Sequence, residues 1–135
     1  DLFDYDAGSG MMANRRPLIA VPPDKGVPDG LCCDCEGNIW LALWEGGAVE
    51  CFDGRTGASL ERIPLPVTKV TSCCFGGENL DRLFITTAWE GNDRARRDAE
   101  PLAGGIFVAQ PGVRGQAPTP AMPDLPDHHH TTWAC

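Results

Sequence analysis

Three pairs of short motifs recur along this chain at similar distances, and that repetition limits its possible folds more than any other feature. D-A-G-S-G at 6–10 returns as D-G-R-T-G at 53–57, an offset of 47. Cys32-Cys33 returns as Cys73-Cys74, an offset of 41, and Trp44-Glu45-Gly46 returns as Trp89-Glu90-Gly91, an offset of 45. A period of about 40–45 residues with several short strands per unit is the signature of propeller blades.

The local patterns agree. Candidate strands lie at 1–6, 15–20, 30–35, 38–44, 47–53, 58–63, 70–75, 82–89 and 104–110, separated by turn chemistry such as EGN (36–38), EGG (45–47) and GGEN (76–79). In 38–44, Ile39, Leu41 and Leu43 alternate with Trp40, Ala42 and Trp44. Both faces are apolar, as a sheet packed between two others requires. No segment carries a convincing helical period. The expected fold is therefore all-β: the outer half of one four-stranded antiparallel blade, a whole blade over 30–63, and most of another. Propellers close with about 4–8 blades, so about two and a half make only part of a ring, with cut edges that expose unpaired strands. Asp1 is not a Met and leads directly into strand-like LFDY, so a preceding N-terminal portion is expected. Segment 92–103, NDRARRDAEPLA, interrupts the last unit between its second and third strands. Insertions in repeat proteins map to one face, often the binding face.

A net charge of -8 argues against nucleic acid as a partner, because phosphate binding needs a basic surface. The one basic cluster, Arg94, Arg96 and Arg97, is interleaved with Asp93, Asp98 and Glu100 and reads as a solvated loop. No apolar run reaches membrane-spanning length and no basic-then-apolar signal opens the chain, so no membrane partner is expected. Seven cysteines form an odd set. Adjacent residues on a strand point to opposite faces, so neither Cys32-Cys33 nor Cys73-Cys74 suits mutual bridging or joint chelation. Cys33 and Cys35 share a face, but one intervening residue is not zinc spacing. Buried thiols in a reducing, cytoplasmic setting are the expectation.

The run PDGLCCDCEGNIWLALWEGGAVECFD, followed by IPLPVTKVTSCCFGG, LFITTA and PLAGGIFVAQPGVRG, resembles the senescence-marker-30 (SMP-30)/gluconolactonase family, which includes regucalcin. FDYDAGSGMMANRR is similar to the middle region of the same family. The resemblance covers roughly residues 1–117 and implies the C-terminal half of a six-bladed β-propeller, with 118–135 as a Pro- and His-containing tail whose composition predicts disorder. It implies a metal-dependent lactonase acting on a sugar lactone, with one divalent ion held by three side chains: a Glu, an Asn and the Asp of a P-D-G motif. That Asp is Asp29, between Pro28 and Gly30; the other ligands and the substrate-contacting Arg and Asn would lie in the missing N-terminal half of the propeller. Ca2+ is the expected ion, with Zn2+, Mn2+ and Mg2+ also accepted by such an oxygen site. Asp29 is implied both as ligand and as general base, and metal binding lowers a carboxylate's basicity, which favours the ligand role. A non-catalytic, regucalcin-like calcium-binding regulatory protein is the alternative.

Taken without the resemblance, Asp29 in P-D-G is turn chemistry. Pro28 fixes its own φ and holds Val27 extended, while Gly30 permits close backbone approach, which aims Asp29 at the head of an inner strand. Cys32, Cys33 and Cys35 then read as small core residues of that strand. Asp34, Glu36 and Asn38 alternate like calcium-loop ligands, but the twelve-residue pattern is absent and a turn is the reading. His128–His130 could bind a transition metal weakly, although an unstructured tail is the plainer account. No G-x-S-x-G elbow, P-loop or dinucleotide fingerprint is present.

Overall fold

The computed structural model of the chain describes residues 1–118, so the expected tail, including His128–His130, lies outside the described residues apart from Pro118. Among the described residues, nine strands fall into three antiparallel sheets. β1 (Leu2–Asp6) and β2 (Met11–Arg16) form a hairpin. β3 (Val27–Cys33), β4 (Ile39–Trp44), β5 (Ala48–Phe52) and β6 (Ser59–Pro64) form a four-stranded sheet in that order. β7 (Val70–Gly76), β8 (Arg82–Thr87) and β9 (Ile106–Ala109) form the third, with a short helix, α1 (Arg94–Ala99), between β8 and β9.

The repeated motifs occupy equivalent positions. Asp6 and Asp53 each cap a tight turn: Asp6 Oδ1 accepts from Gly8 N, and Asp53 Oδ1 accepts from Arg55 N and Thr56 N. Each turn closes with a bond from a glycine N–H to the Asp carbonyl, Gly10 at φ 71° and Gly57 at φ 72°. Those left-handed residues favour Gly because it carries no Cβ. The first turn also corrects the sequence reading. Closure at Gly10 brings the chain straight back as β2 at 11–16, whereas a strand was expected at 15–20.

The alternation in β4 separates two apolar faces as expected, but only one of them packs on another sheet. Trp40 and Ala42, with Val49 and Cys51 of β5, pack against Val70, Cys73, Leu83 and Ile85 of the third sheet. Trp40 and Phe75 meet edge to face across that interface, ring centroids 5.8 Å apart. Leu41 and Leu43, with Phe52, face the other way and pack on Ile19 and Val21. Burying each such large side chain contributes about 1.5–3 kcal/mol, so the four-stranded sheet is held from both faces.

The third sheet is covered on one side only, and the first is exposed throughout apart from the half-buried Leu2. On β9, Phe107 and Ala109 turn toward the core while Ile106 and Val108 are exposed. After β9 the chain forms no fourth strand of this sheet within the described residues. It crosses back to the preceding sheet, where Gly115 bridges Asp34 and Arg114 O accepts from Cys35 N at 2.8 Å.

Candidate metal-binding position at the Asp29 bulge

Asp29 and Gly30 sit in a β-bulge. The register passes from Pro28 opposite Leu43 to Leu31 opposite Leu41, so β3 advances three residues while β4 advances two. The extra residue bends the strand and re-aims its side chains, as bulges beside functional sites commonly do. Gly30 is required by contact. A Cβ there would lie 2.3 Å from Ser72 Oγ and 2.8 Å from Ser72 Cα, so only glycine lets β3 lie this close to β7. The result is an exposed Asp29 carboxylate near the head of β3.

Several other features gather at the same end of the sheets. Val27 pairs with Trp44, Trp44 bridges to Lys69, and Val70 pairs with Thr87 at the end of β8. The 92–103 insertion, which begins just beyond β8, therefore rises from the end that carries Asp29. It is tied down by charge. Arg96 bonds to Glu45, Thr68 and Glu100, and Glu100 accepts from both Thr68 N and Thr68 Oγ1. Burial pushes the Glu100 carboxyl up, but the Thr68 donors and Arg96 outweigh it and hold it below the ordinary range. The two recurring tryptophans each carry a cation: Lys69 Nζ lies 5.1 Å from the Trp44 ring centre and the Arg97 guanidinium 4.5 Å from that of Trp89. Asn92, within the insertion, is buried with neither amide atom partnered. The segment expected as a solvated loop contains α1, capped by Asp93, whose side chain accepts from Arg96 N at 2.8 Å.

Asp34 has a different role. It is fully buried, and its carboxylate accepts from Glu36 N, Asn38 N, Asn38 Nδ2 and the Trp40 indole N–H. Burial alone would raise its pKa, but these donors outweigh that effect and hold it below the usual carboxylate range. Every oxygen is committed to the fold, which bears out the turn reading of 34–38. D-x-x-G-N-x-W was the sequence signal for the reach back to Trp40.

The cysteine expectation needs correction. Cys51 and Cys73 are buried and Cys32 is half-buried, but Cys33, Cys35 and Cys74 are exposed. β3 is the edge strand of its sheet and alternates, so Cys33 points away from the packed face. Cys35 lies beyond the strand altogether.

As a metal centre, the position is right in kind and short in number. A carboxylate suits a hard cation, but Ca2+ takes about six to eight oxygens. Among the described residues no group of three or more His, Cys, Asp and Glu could hold an ion. This span therefore supplies one candidate ligand, Asp29, and no complete site.

Sheets of two, four and three antiparallel strands, the last two packed face to face, define a partial β-propeller. The family described as SMP-30/Gluconolactonase/LRE-like region matches residues 1–89, and the chain belongs to it. It is 42% identical to regucalcin of Xenopus laevis over 120 residues, which is 88% of this chain and 40% of that protein. It superposes with TM-score 0.76 and 34% identity on a luciferin-regenerating enzyme, covering 85% of this chain and 39% of the other. A calcium-binding protein, regucalcin, from Agrobacterium tumefaciens also matches at TM-score 0.76 and 32% identity, over 84% and 39%. The chain thus spans about 40% of the length of the relatives it matches. No helix among the described residues is long and apolar enough to cross a membrane.

Proposed function

We propose that this chain is the C-terminal portion of a six-bladed, divalent-metal-dependent lactonase that hydrolyses a sugar lactone, and that it is inactive without the rest of the ring. The observation that carries this reading is the Asp29 bulge: an exposed carboxylate in P-D-G, near the head of an inner strand, at the end of the sheets where the insertion rises. Asp29 acts as a ligand to the ion, Ca2+ by its hard oxygen chemistry. Such an ion, when bound, polarises a lactone carbonyl and makes bound water more acidic. Asp29 would fix the ion's place, Gly30 would hold Asp29 where the backbones of β3 and β7 touch, and the Arg96–Glu45–Glu100 cluster would fix the insertion at that rim. The free thiols fit a reducing, cytoplasmic setting.

The test places residues 1–118 in the corresponding span of Xenopus laevis regucalcin, which supplies the remainder of a ring. Lactone hydrolysis that EDTA abolishes, and that Asp29→Ala removes without unfolding the chimera, supports the reading. Full metal-dependent activity in Asp29→Ala overturns the assignment of Asp29. A second reading, a non-catalytic calcium-binding protein, is favoured by the description of the Agrobacterium tumefaciens relative. Calcium binding by calorimetry with no turnover of any lactone would select it.

A further inference from the structure

We propose that Cys32 and Cys73 form a peroxide-sensitive dithiol, whose oxidation joins the inner strands of two neighbouring sheets through a disulfide. The two sulfurs lie 3.7 Å apart, one on β3 and one on β7. The strands already lie close together beside them, where a Cβ on Gly30 would come within 2.8 Å of Ser72 Cα. A disulfide needs its sulfurs at about 2.05 Å and its Cα atoms about 4.4–6.8 Å apart. The sulfurs must move together from 3.7 Å to bonding distance for the link to form.

Access and chemistry are divided between the two thiols. Cys32 is half-buried and borders an open cleft of about 490 Å³, lined also by Cys33, Cys74, Phe75 and Leu80. Cys73 is buried behind it. The Cys73 proton has two acceptors in reach, the Trp40 carbonyl at 3.3 Å and the Cys32 sulfur. Turned toward Cys32, that proton stabilises a Cys32 thiolate, so the Cys32 thiol falls below its ordinary pKa while that of Cys73 rises. Burial pushes Cys51 up to about 12. Cys32 is accordingly the nucleophile and Cys73 the resolving thiol.

The oxidant is hydrogen peroxide. The Cys32 thiolate attacks one peroxide oxygen, the O–O bond breaks, hydroxide leaves and takes a proton from solvent, and Cys32 becomes a sulfenic acid. The Cys73 sulfur then attacks the sulfenic sulfur. The S–O bond breaks, and hydroxide departs as water with the Cys73 proton. Two thiols and one peroxide give one disulfide and two waters, a two-electron change that a small thiol reductant reverses by exchange.

The experiment uses the full 135-residue chain carrying Cys33→Ser and Cys74→Ser, both exposed positions, so that any link between tryptic peptides 26–55 and 70–82 must use Cys73. Dilute protein is treated with peroxide, denatured, alkylated and mapped by mass spectrometry. The expected product is a monomer about 2 Da lighter, from two hydrogens removed, that has lost two alkylation sites and carries a Cys32–Cys73 link reversed by dithiothreitol. Alkylation of both Cys32 and Cys73 after treatment, or a link from Cys73 to Cys35 or Cys51, overturns the proposal. In Cys73→Ser, whose hydroxyl can still donate toward Cys32 but cannot form a disulfide, dimedone should capture a sulfenic acid on Cys32; its absence in a folded variant overturns the assignment of Cys32 as nucleophile. The mapping in the double-serine chain decides the pairing even if Cys73→Ser does not fold.

Discussion

The indole N–H of Trp40 donates to Asp34 Oδ2 at 3.0 Å, so the turn that ends one strand is anchored to the largest core side chain of the next. A buried carboxylate with four donors is costly to remove, because each donor then loses its partner in a dry site. Asp34→Ala should destabilise the chain by about 1–3 kcal/mol or more, the cost of leaving buried neutral donors unsatisfied. Asp34→Asn should cost less, since one amide oxygen still accepts while the amide nitrogen faces donors. Denaturant melts at pH 7 measure both.

The same carboxylate gives a pH dependence of defined sign. Its pKa is lower in the folded chain than in the unfolded one, so its contribution is fully present above the unfolded value, about 3.9, and is lost as pH falls through the folded value. The gap in stability between wild type and Asp34→Asn should be constant from pH 7 to about pH 5 and narrow below about pH 4. Thermal melts across that range measure it. A gap that persists unchanged at pH 2 would mean that the negative charge on Asp34 contributes nothing.

How far these features could be read in advance depended on whether they were local. The two faces of β4 were legible because alternation is a backbone property, and Ile39, Leu41 and Leu43 separated from Trp40 and Ala42 as expected. The offset of 41 between the cysteine pairs was legible too, and it brought Cys32 beside Cys73. The helix at 94–99 was not, because six residues are too few to display a period and its start depends on the Asp93 cap. The exposure of Cys33 and Cys35 was missed because a small apolar residue type says nothing about which strand of the sheet is the edge. Asp29 was legible as a position in P-D-G, but a metal centre is a convergence of ligands, and within this span the others do not converge on it.

Gly30→Ala tests how closely β3 must approach β7. The new methyl group meets Oγ, Cβ and Cα of Ser72, and a side-chain rotation moves only the hydroxyl out of the way. Overpacking of this kind costs about 1–3 kcal/mol. Adding Ser72→Ala should restore only part of the loss, because the clash with the backbone at position 72 remains. Complete rescue would mean that the clash was confined to the Ser72 hydroxyl.

The exposed face of the third sheet predicts self-association. Val108 stands opposite Phe84, and Ile106 opposite Thr86, on the side away from the core, and β9 has one unpaired edge among the described residues. Strand edges beside apolar side chains template pairing with other chains unless charge opposes it. The isolated chain should form concentration-dependent oligomers in light scattering, and Val108→Lys should shift it toward monomer. A wild-type chain that stays monomeric at high concentration would show that this face needs no cover.

Asp29→Ala separates function from folding most cleanly. The carboxylate is exposed and sits on a bulge whose geometry comes from Gly30, so the isolated chain should keep its unfolding midpoint when Asp29 is removed. Within a closed ring the expectation changes. An ion that binds the folded state alone stabilises it by about 2.7 kcal/mol at a hundred times its dissociation constant. The regucalcin chimera carrying residues 1–118 should therefore melt higher in calcium than in EDTA, and Asp29→Ala should erase that difference while leaving the EDTA melt where it was. A calcium-dependent rise retained in full would show that the ion is held without Asp29, and the lactonase reading would then lose the one ligand that this span supplies.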